Sequence, residues 1–228
     1  MIKKVFLIGA GLIFSTSLLS AQEESSFSKY GLEANLGTPG VGIKYSTNIS
    51  DNLDLKIGVN GFTYNHTGTE SNINYDIDLK LFTVSALVDY HPFNNGFIIS
   101  SGVMYNGNKV DYKGRPIGGT YDIGGTIYNA TDVGSLTGKV SFNDVAPYLG
   151  IGYNSVLSSS GLHFTADLGV MYQGEPDSSL SVTCGSALTA AQCTQLQQDV
   201  FKEKQEFDDS IKGYKFYPVL SFGIAYRF

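Results

Sequence analysis

The stretch YKFYPVLSFGIAYRF, residues 214–228, alternates without interruption. Its even positions are Tyr214, Phe216, Pro218, Leu220, Phe222, Ile224, Tyr226 and Phe228, all apolar or aromatic. Its odd positions are Lys215, Tyr217, Val219, Ser221, Gly223, Ala225 and Arg227, a mixed set of small, polar and charged side chains. A period of two marks a strand with one apolar face, and a tilted strand needs only about 9–11 residues to cross a bilayer.

The same period recurs upstream. LHFTADLGVMYQ (162–173) sets Leu162, Phe164, Ala166, Leu168, Val170 and Tyr172 against His163, Thr165, Asp167, Gly169, Met171 and Gln173. LDLKIGVN (53–60) sets four aliphatic residues against Asp54, Lys56, Gly58 and Asn60. YGLEANL (30–36) and VGIKYSTN (41–48) place Glu33, Asn35, Lys44, Ser46 and Asn48 on the polar side. FIISSGVMYN (97–106) and DVAPYLGIGYN (144–154) set glycine and small polar residues opposite Val, Ile, Leu and Tyr. YDIDLKLFTVSALVDYHPF (75–93) opens with Asp76, Asp78 and Lys80 opposite Ile77, Leu79 and Leu81, and its phase slips near Phe82, where a bulge is expected. With the closing stretch these make eight strands, an even number, as in single-chain outer-membrane barrels.

The connections fit that fold. Residues 49–52, 92–96 and 157–161 are short turns, whereas 67–74, 112–138 and 175–213 are long; only 37–40 is short where a long loop is expected. With both ends of the barrel domain at the periplasmic rim, the short turns fall there and the long loops outside. A soluble β-sandwich also alternates, but it would put the second face in water. Here that face is rich in glycine and carries Glu33, Asp54, Asp76, Asp78, Asp89 and Asp167 with Lys44, Lys56, Lys80, Lys215 and Arg227. A narrow barrel interior accounts for both features. The expected fold is all-β: an eight-stranded antiparallel transmembrane β-barrel with a helical extracellular last loop.

The first residues support export. MIKK is basic, VFLIGAGLIFSTSLL is apolar, and LSA ends on a small residue, the pattern of a secretory signal peptide over 1–21 with cleavage after Ala21. Residues 22–228 then form one outer-membrane barrel domain. No other segment holds the ~18 apolar residues of a membrane-spanning helix. Removing Lys3 and Lys4 takes the formal charge from −6 to −8, which argues against nucleic acid. The expected surroundings are outer-membrane lipid and lipopolysaccharide, and the terminal aromatic Phe228 is the expected signal to the barrel assembly machinery.

Sites of chemistry are few. Cys184 and Cys193, in the last long loop, are expected to form a disulfide, since two cysteines without nearby histidines make a poor metal site. After them Leu196, Val200, Phe207 and Ile211 recur at helical spacing, with Thr189 as cap and Gly213 as stop; the helix either packs on the rim or serves as a lid or partner surface. His163 and Asp167 share a face but lack an assignable nucleophile, and His66 and His91 fall at strand ends, where solvation is expected. No phosphate-binding loop or nucleophile elbow is present, so no enzyme activity, metal or cofactor is expected.

The interior charges remain. Glu33, Lys44, Asp54, Lys56, Asp78, Lys80, Asp89, Asp167, Lys215 and Arg227 either brace the barrel as ion pairs or line a narrow path for small solutes. Asp54, Asp89 and Asp167 outnumber Lys56 and Arg227 toward the periplasmic half, which favours a cationic solute.

FNDVAPYLGIGY, ADLGVMYQGEP and YPVLSFGIAYRF, extended by NISDNLDLKIGVNGFTY, VDYHPF and SGVMYN, resemble the CarO-type outer-membrane proteins. That resemblance implies an eight-stranded barrel and passive uptake of small cationic or zwitterionic solutes such as ornithine and other basic amino acids. The loop cysteines and Phe228 depart from the family pattern. The ending YRF is also similar to OmpW-type barrels, which implies hydrophobic cargo; the charged interior points away from it. The alternative to a channel is a non-conducting structural or surface-interaction barrel.

Overall fold

The computed structural model describes residues 30–93, 95–155 and 161–228. The expected signal peptide, its cleavage point and most of the 157–161 turn lie outside the described residues. Eight strands close a ring. In ring order these are β4 (Ile73–Tyr90), β3 (Leu53–Glu70), β2 (Gly40–Ser50), β1 (Tyr30–Gly37), β13 (Phe216–Arg227), β11 (Gly161–Tyr172), β10 (Val145–Asn154) and β5 (Phe97–Asn106), and β5 pairs back onto β4. Every neighbouring pair is antiparallel, and β13, the closing strand of the sequence, pairs with β1 on one side and β11 on the other.

The expected alternation sets the faces. Leu162 and Phe164 stand 75% and 71% exposed on the outside, whereas Lys44, Asp54, Lys56 and Asp89 are buried inside. Aromatic belts edge the outer band: Tyr30, Tyr45, Tyr226 and Phe228 touch at one end, and Phe82 with Tyr105 and Tyr172 with Phe216 at the other. Phe216 and Tyr226 are ten residues apart on β13, roughly 33 Å of strand, which at the usual tilt spans about 25 Å of bilayer.

Above that band the ring opens into a wall. The remaining strands are β6 (Lys109–Pro116), β7 (Thr120–Ile123), β8 (Thr126–Asn129), β9 (Val133–Ser141) and β12 (Asp177–Cys184). β4 pairs with β5 through Thr83↔Asn106 and with β6 through Lys80↔Lys109, so β6 continues β5 in the same register after a break at Gly107 and Asn108. There the Gly107 N–H donates to the Phe82 carbonyl, and the Asn108 Oδ1 accepts from the Phe82 N–H. β9 runs on into β10 in the same way, since Lys109↔Ser141 and Tyr105↔Val145 keep one register. β12 prolongs β11 beyond Gly174, offset by one residue. The upper parts of β3 and β4 with β6, β9 and β12 therefore form a five-stranded sheet standing on one side of the barrel.

Three expectations about the long connections are corrected. The long connection at 67–74 is a two-residue hairpin turn, with Ser71 and Asn72 at φ 51° and 63°, the left-handed values a tight hairpin demands. The glycine-rich stretch 112–138 contains the end of β6, the β7–β8 hairpin and most of β9. Residues 175–213 hold β12 as well as the expected helix, α1 (Ala190–Ile211), capped by Thr189 in a reciprocal capping box with Gln192.

The slip near Phe82 is not a bulge. β3 and β4 stay in one register from Leu53↔Tyr90 to Glu70↔Ile73. Below Gly61 and Phe82 the apolar side chains point outward; above them Tyr64, Ile77 and Leu79 occupy the inward face and Thr63, Asn65, Asp76 and Asp78 the outward one. The strands are continuous while their surroundings change from lipid to water, so the apolar face changes sides.

Candidate functional site: the lumen and the wall above it

Asp54, the second residue of β3, points into the barrel, and three neighbours converge on it. The Arg227 guanidinium lies 2.7 Å from its Oδ2, His91 Nε2 3.3 Å from the same oxygen, and Asn48 Nδ2 donates to Oδ1 at 2.8 Å. A second cluster stands deeper. Lys56 pairs with Asp89 at 2.7 Å and reaches Asp167 at 3.5 Å; Lys44 pairs with Asp167 at 2.6 Å and Glu33 at 2.9 Å. Ser100 donates to Asp89 at 2.5 Å. Seven of the ten charged residues expected along the lumen are thus brought together. His91, expected in solvent, is buried: its backbone N–H donates to the Asn52 carbonyl and its ring lies against Asp54.

The extracellular half of the lumen holds an apolar cluster bordered by the buried polar residues Asn60, Thr83, Ser85 and Asn106. Leu87, Met104, Ala146, Tyr148, Met171 and Val219 meet there, with Tyr217 against them. The Tyr148 ring lies across the cross-strand pair Gly150–Gly169, where a Cβ on either glycine would collide with its hydroxyl oxygen. Met171 and Ala146 have no exposed surface, and none of the seven lumen charges is more than 8% exposed. The void left beside the ion pairs measures about 20 Å³, room for roughly one water molecule. Sequence reasoning missed this plug, although its residues are the large apolar exceptions on the polar face of the alternation.

The other three expected lumen charges, and Asp76 from the expected interior face, lie elsewhere. Asp78 and Lys80 point outward from the wall, because the face reversal at Phe82 carries them out of the barrel. Lys215 precedes β13 at the rim and pairs with Glu175 at 2.6 Å, which holds the Glu175 carboxyl below the usual range. Of the two residues considered as a dyad, His163 is buried and Asp167 is engaged by two ammonium groups.

The wall's inward face is covered at one end. Leu136, Leu180 and Val182 pack with Leu196 and Val200 of α1 and with Ile123 and Tyr128 of the β7–β8 hairpin. Asp199 of α1 is fully buried and accepts from Lys202 at 2.7 Å, Tyr128 at 2.8 Å and Gln195 at 3.1 Å. Lys202 foremost, then Tyr128, hold its carboxyl well below the usual range; burial, with the bond to Asp199, pushes the Tyr128 phenol up to about 12. Glu203 accepts from the Gly124 N–H at 2.8 Å, and Ser178 donates to Asp208. The expected disulfide joins Cys184 at the end of β12 to Cys193 in the first turns of α1. Together these contacts make the loops a built cap.

No family model matches the chain, and no curated protein matches it. Among solved structures it is similar to CarO of Acinetobacter baumannii, at TM-score 0.56 and 20% identity over 87% of this chain and 97% of that one. It is also similar to CarO2 of Acinetobacter baumannii, at TM-score 0.55 and 23% identity over 89% and 100%. A major outer membrane protein of Thermus thermophilus follows at TM-score 0.46 and 17% identity, over 88% and 99%. At these identities the likeness is one of fold: the resemblance to CarO-type barrels holds at that level, and the architecture is that of the bacterial outer membrane.

Proposed function

We propose that this outer-membrane barrel does not conduct and acts instead through its extracellular wall and cap, as a surface-interaction barrel. The observation that supports the reading is the filled lumen. A polar solute would have to displace Tyr148 and Met171, then separate Lys44 and Lys56 from Asp167, whose carboxylate has no further ion-pair partner among the described residues. Separating such a buried pair costs several kcal/mol, on the order of 3–5. The reading assigns no catalysis, metal or cofactor to the barrel.

Planar-bilayer recording tests it. The wild-type protein should give no current steps above an empty membrane, whereas Tyr148→Ala with Met171→Ala should. Wild-type steps that favour arginine or ornithine over glutamate would sink the proposal in favour of diffusion of small cationic or zwitterionic solutes. One observation supports that second reading: Glu33, Asp54, Asp89 and Asp167 outnumber Lys44, Lys56 and Arg227 in the lumen, with His91 and His163 as further basic groups.

A further inference from the structure

The wall's outward face carries charge that the barrel does not use. Across paired strands Asp78 stands beside Asp111 and then Lys139, and in the next row Asp76 stands beside Lys113 and then Thr137. They line a cleft of about 550 Å³. Lys80 and Lys109, directly opposed one row nearer the aromatic belt, form its lower lip.

Two properties set this cleft apart from the lumen. Every lumen charge has a partner within 4 Å, whereas Asp76, Asp78, Lys80, Lys113 and Lys139 have no ion pair among the described residues; only Lys109 and Asp111 approach, at 3.9 Å. Like charges also sit directly across from one another, Lys80 against Lys109 and Asp78 against Asp111, an arrangement that destabilises a sheet unless something lies between them.

Position decides what can reach it. Because β3 and β4 keep one register, the outward face continues the lipid-facing rows that end at Val59 and Phe82. The cleft therefore stands outside the barrel, just above the belt where Phe82 meets Tyr105. Its occupant comes from the membrane surface around the protein. The lining is mainly polar: closely spaced carboxylates and the hydroxyls of Thr137 and Ser179 suit a polyhydroxylated ligand, and the paired lysines of the lip suit phosphate.

We propose that this cleft binds the phosphorylated saccharide headgroup of an outer-leaflet glycolipid, with Lys80, Lys109 and Lys139 on its phosphates and Asp76 and Asp78 accepting from its sugar hydroxyls. The inference rests on the outer-membrane reading and is independent of whether the lumen conducts.

The test uses the full mature protein in detergent, titrated with deep-rough lipopolysaccharide and followed by native mass spectrometry. Four probes are compared: the phosphorylated glycolipid, its dephosphorylated form, its delipidated phosphorylated oligosaccharide, and phosphatidylglycerol. The phosphorylated glycolipid should bind best. Replacing Lys80, Lys109 and Lys139 together by Gln should weaken it about tenfold or more, as should dephosphorylation. Asp76→Asn with Asp78→Asn should weaken it while leaving phosphatidylglycerol unchanged. Equal binding by the lysine variant, or by the dephosphorylated form, overturns the phosphate assignment. Soluble oligosaccharide binding as tightly as the glycolipid overturns the membrane source, and phosphatidylglycerol binding equally overturns the saccharide. Unboiled samples run on gels report separately on the barrel: a chain that shows no heat-dependent shift in migration removes the outer-membrane reading itself.

Discussion

At the residue scale the lumen is held by shared partners. Lys44 bridges Glu33 and Asp167, and Lys56 bridges Asp167 and Asp89, so no ammonium is held by a single acid. Lys44→Met should destabilise the barrel by about 3–5 kcal/mol, because it leaves the buried Glu33 without its ammonium and Asp167 with Lys56 alone. Adding Glu33→Gln and Asp167→Asn should recover part of that loss, as measured by urea unfolding in lipid; a triple variant less stable than Lys44→Met would contradict the pairing scheme. Gly169→Ala acts differently. Its Cβ would collide with the Tyr148 hydroxyl oxygen, so the ring must leave its place over the glycines, at a cost of about 1–3 kcal/mol. A Tyr148→Ala background should abolish that penalty in the same unfolding measurement. These acids and bases were legible in the sequence because each interrupts an apolar stripe at a fixed period. The plug was not, since nothing in a single strand tells which side chains of five different strands reach the same height.

At the element scale, β3 and β4 show where a period-two reading needs a second variable. The alternation in INYDIDLKLFTVSALVDY is real on both sides of Phe82, but a strand that leaves lipid for water exchanges its faces without shifting a single pair. Reading the slip as a bulge assumed one environment along the strand, and that assumption put Asp78 and Lys80 in the lumen. α1 was legible for the opposite reason: a capping box, a helical apolar period and a terminal glycine are local and environment-independent. Its docking carries a pH signature. The neutral Tyr128 phenol is favoured in the folded cap, so its contribution is complete below the ordinary tyrosine value near 10. It should be lost as pH rises toward about 12. Asp199 has the opposite sign and keeps its contribution until pH falls below the usual carboxylate range. Spin labels at Gln205 and Thr137 should report an unchanged distance up to pH 10 and a broadening between 10 and about 12; Tyr128→Phe should lack that step. The Cys184–Cys193 bridge closes a short loop, so Cys184→Ser with Cys193→Ser should weaken the cap by about 2–3 kcal/mol and leave the barrel's heat-dependent gel shift intact.

At the scale of the whole molecule, the barrel and its superstructure are joined in a way that allows them to be separated. Gly61 pairs with Phe82 at the top of the lipid-facing band. The Asn106 N–H donates to the Asp144 carbonyl at 2.7 Å, and the Gln173 N–H donates to the Lys215 carbonyl at 2.9 Å. Each of these contacts is the natural end of a hairpin, so residues 62–81, 107–143 and 174–214 can each be replaced by a short turn without stretching the ring. The ion clusters and the apolar plug lie wholly on retained strands. The stripped chain should therefore fold in micelles to a barrel that shifts on boiling and gives a strand-dominated circular dichroism spectrum. Failure to do so would mean that the wall is needed to set the register of β4 and β5. The same chain separates two ways of closing a lumen. If Tyr148 and Met171 close it, the stripped barrel should be as silent in a planar bilayer as the full protein, and only the Tyr148→Ala, Met171→Ala version should conduct. If the cap closes it, the stripped barrel should conduct with its plug intact. The burial of Met171, complete within the cluster it forms with Tyr148 and Leu87 on the barrel strands, favours the first outcome.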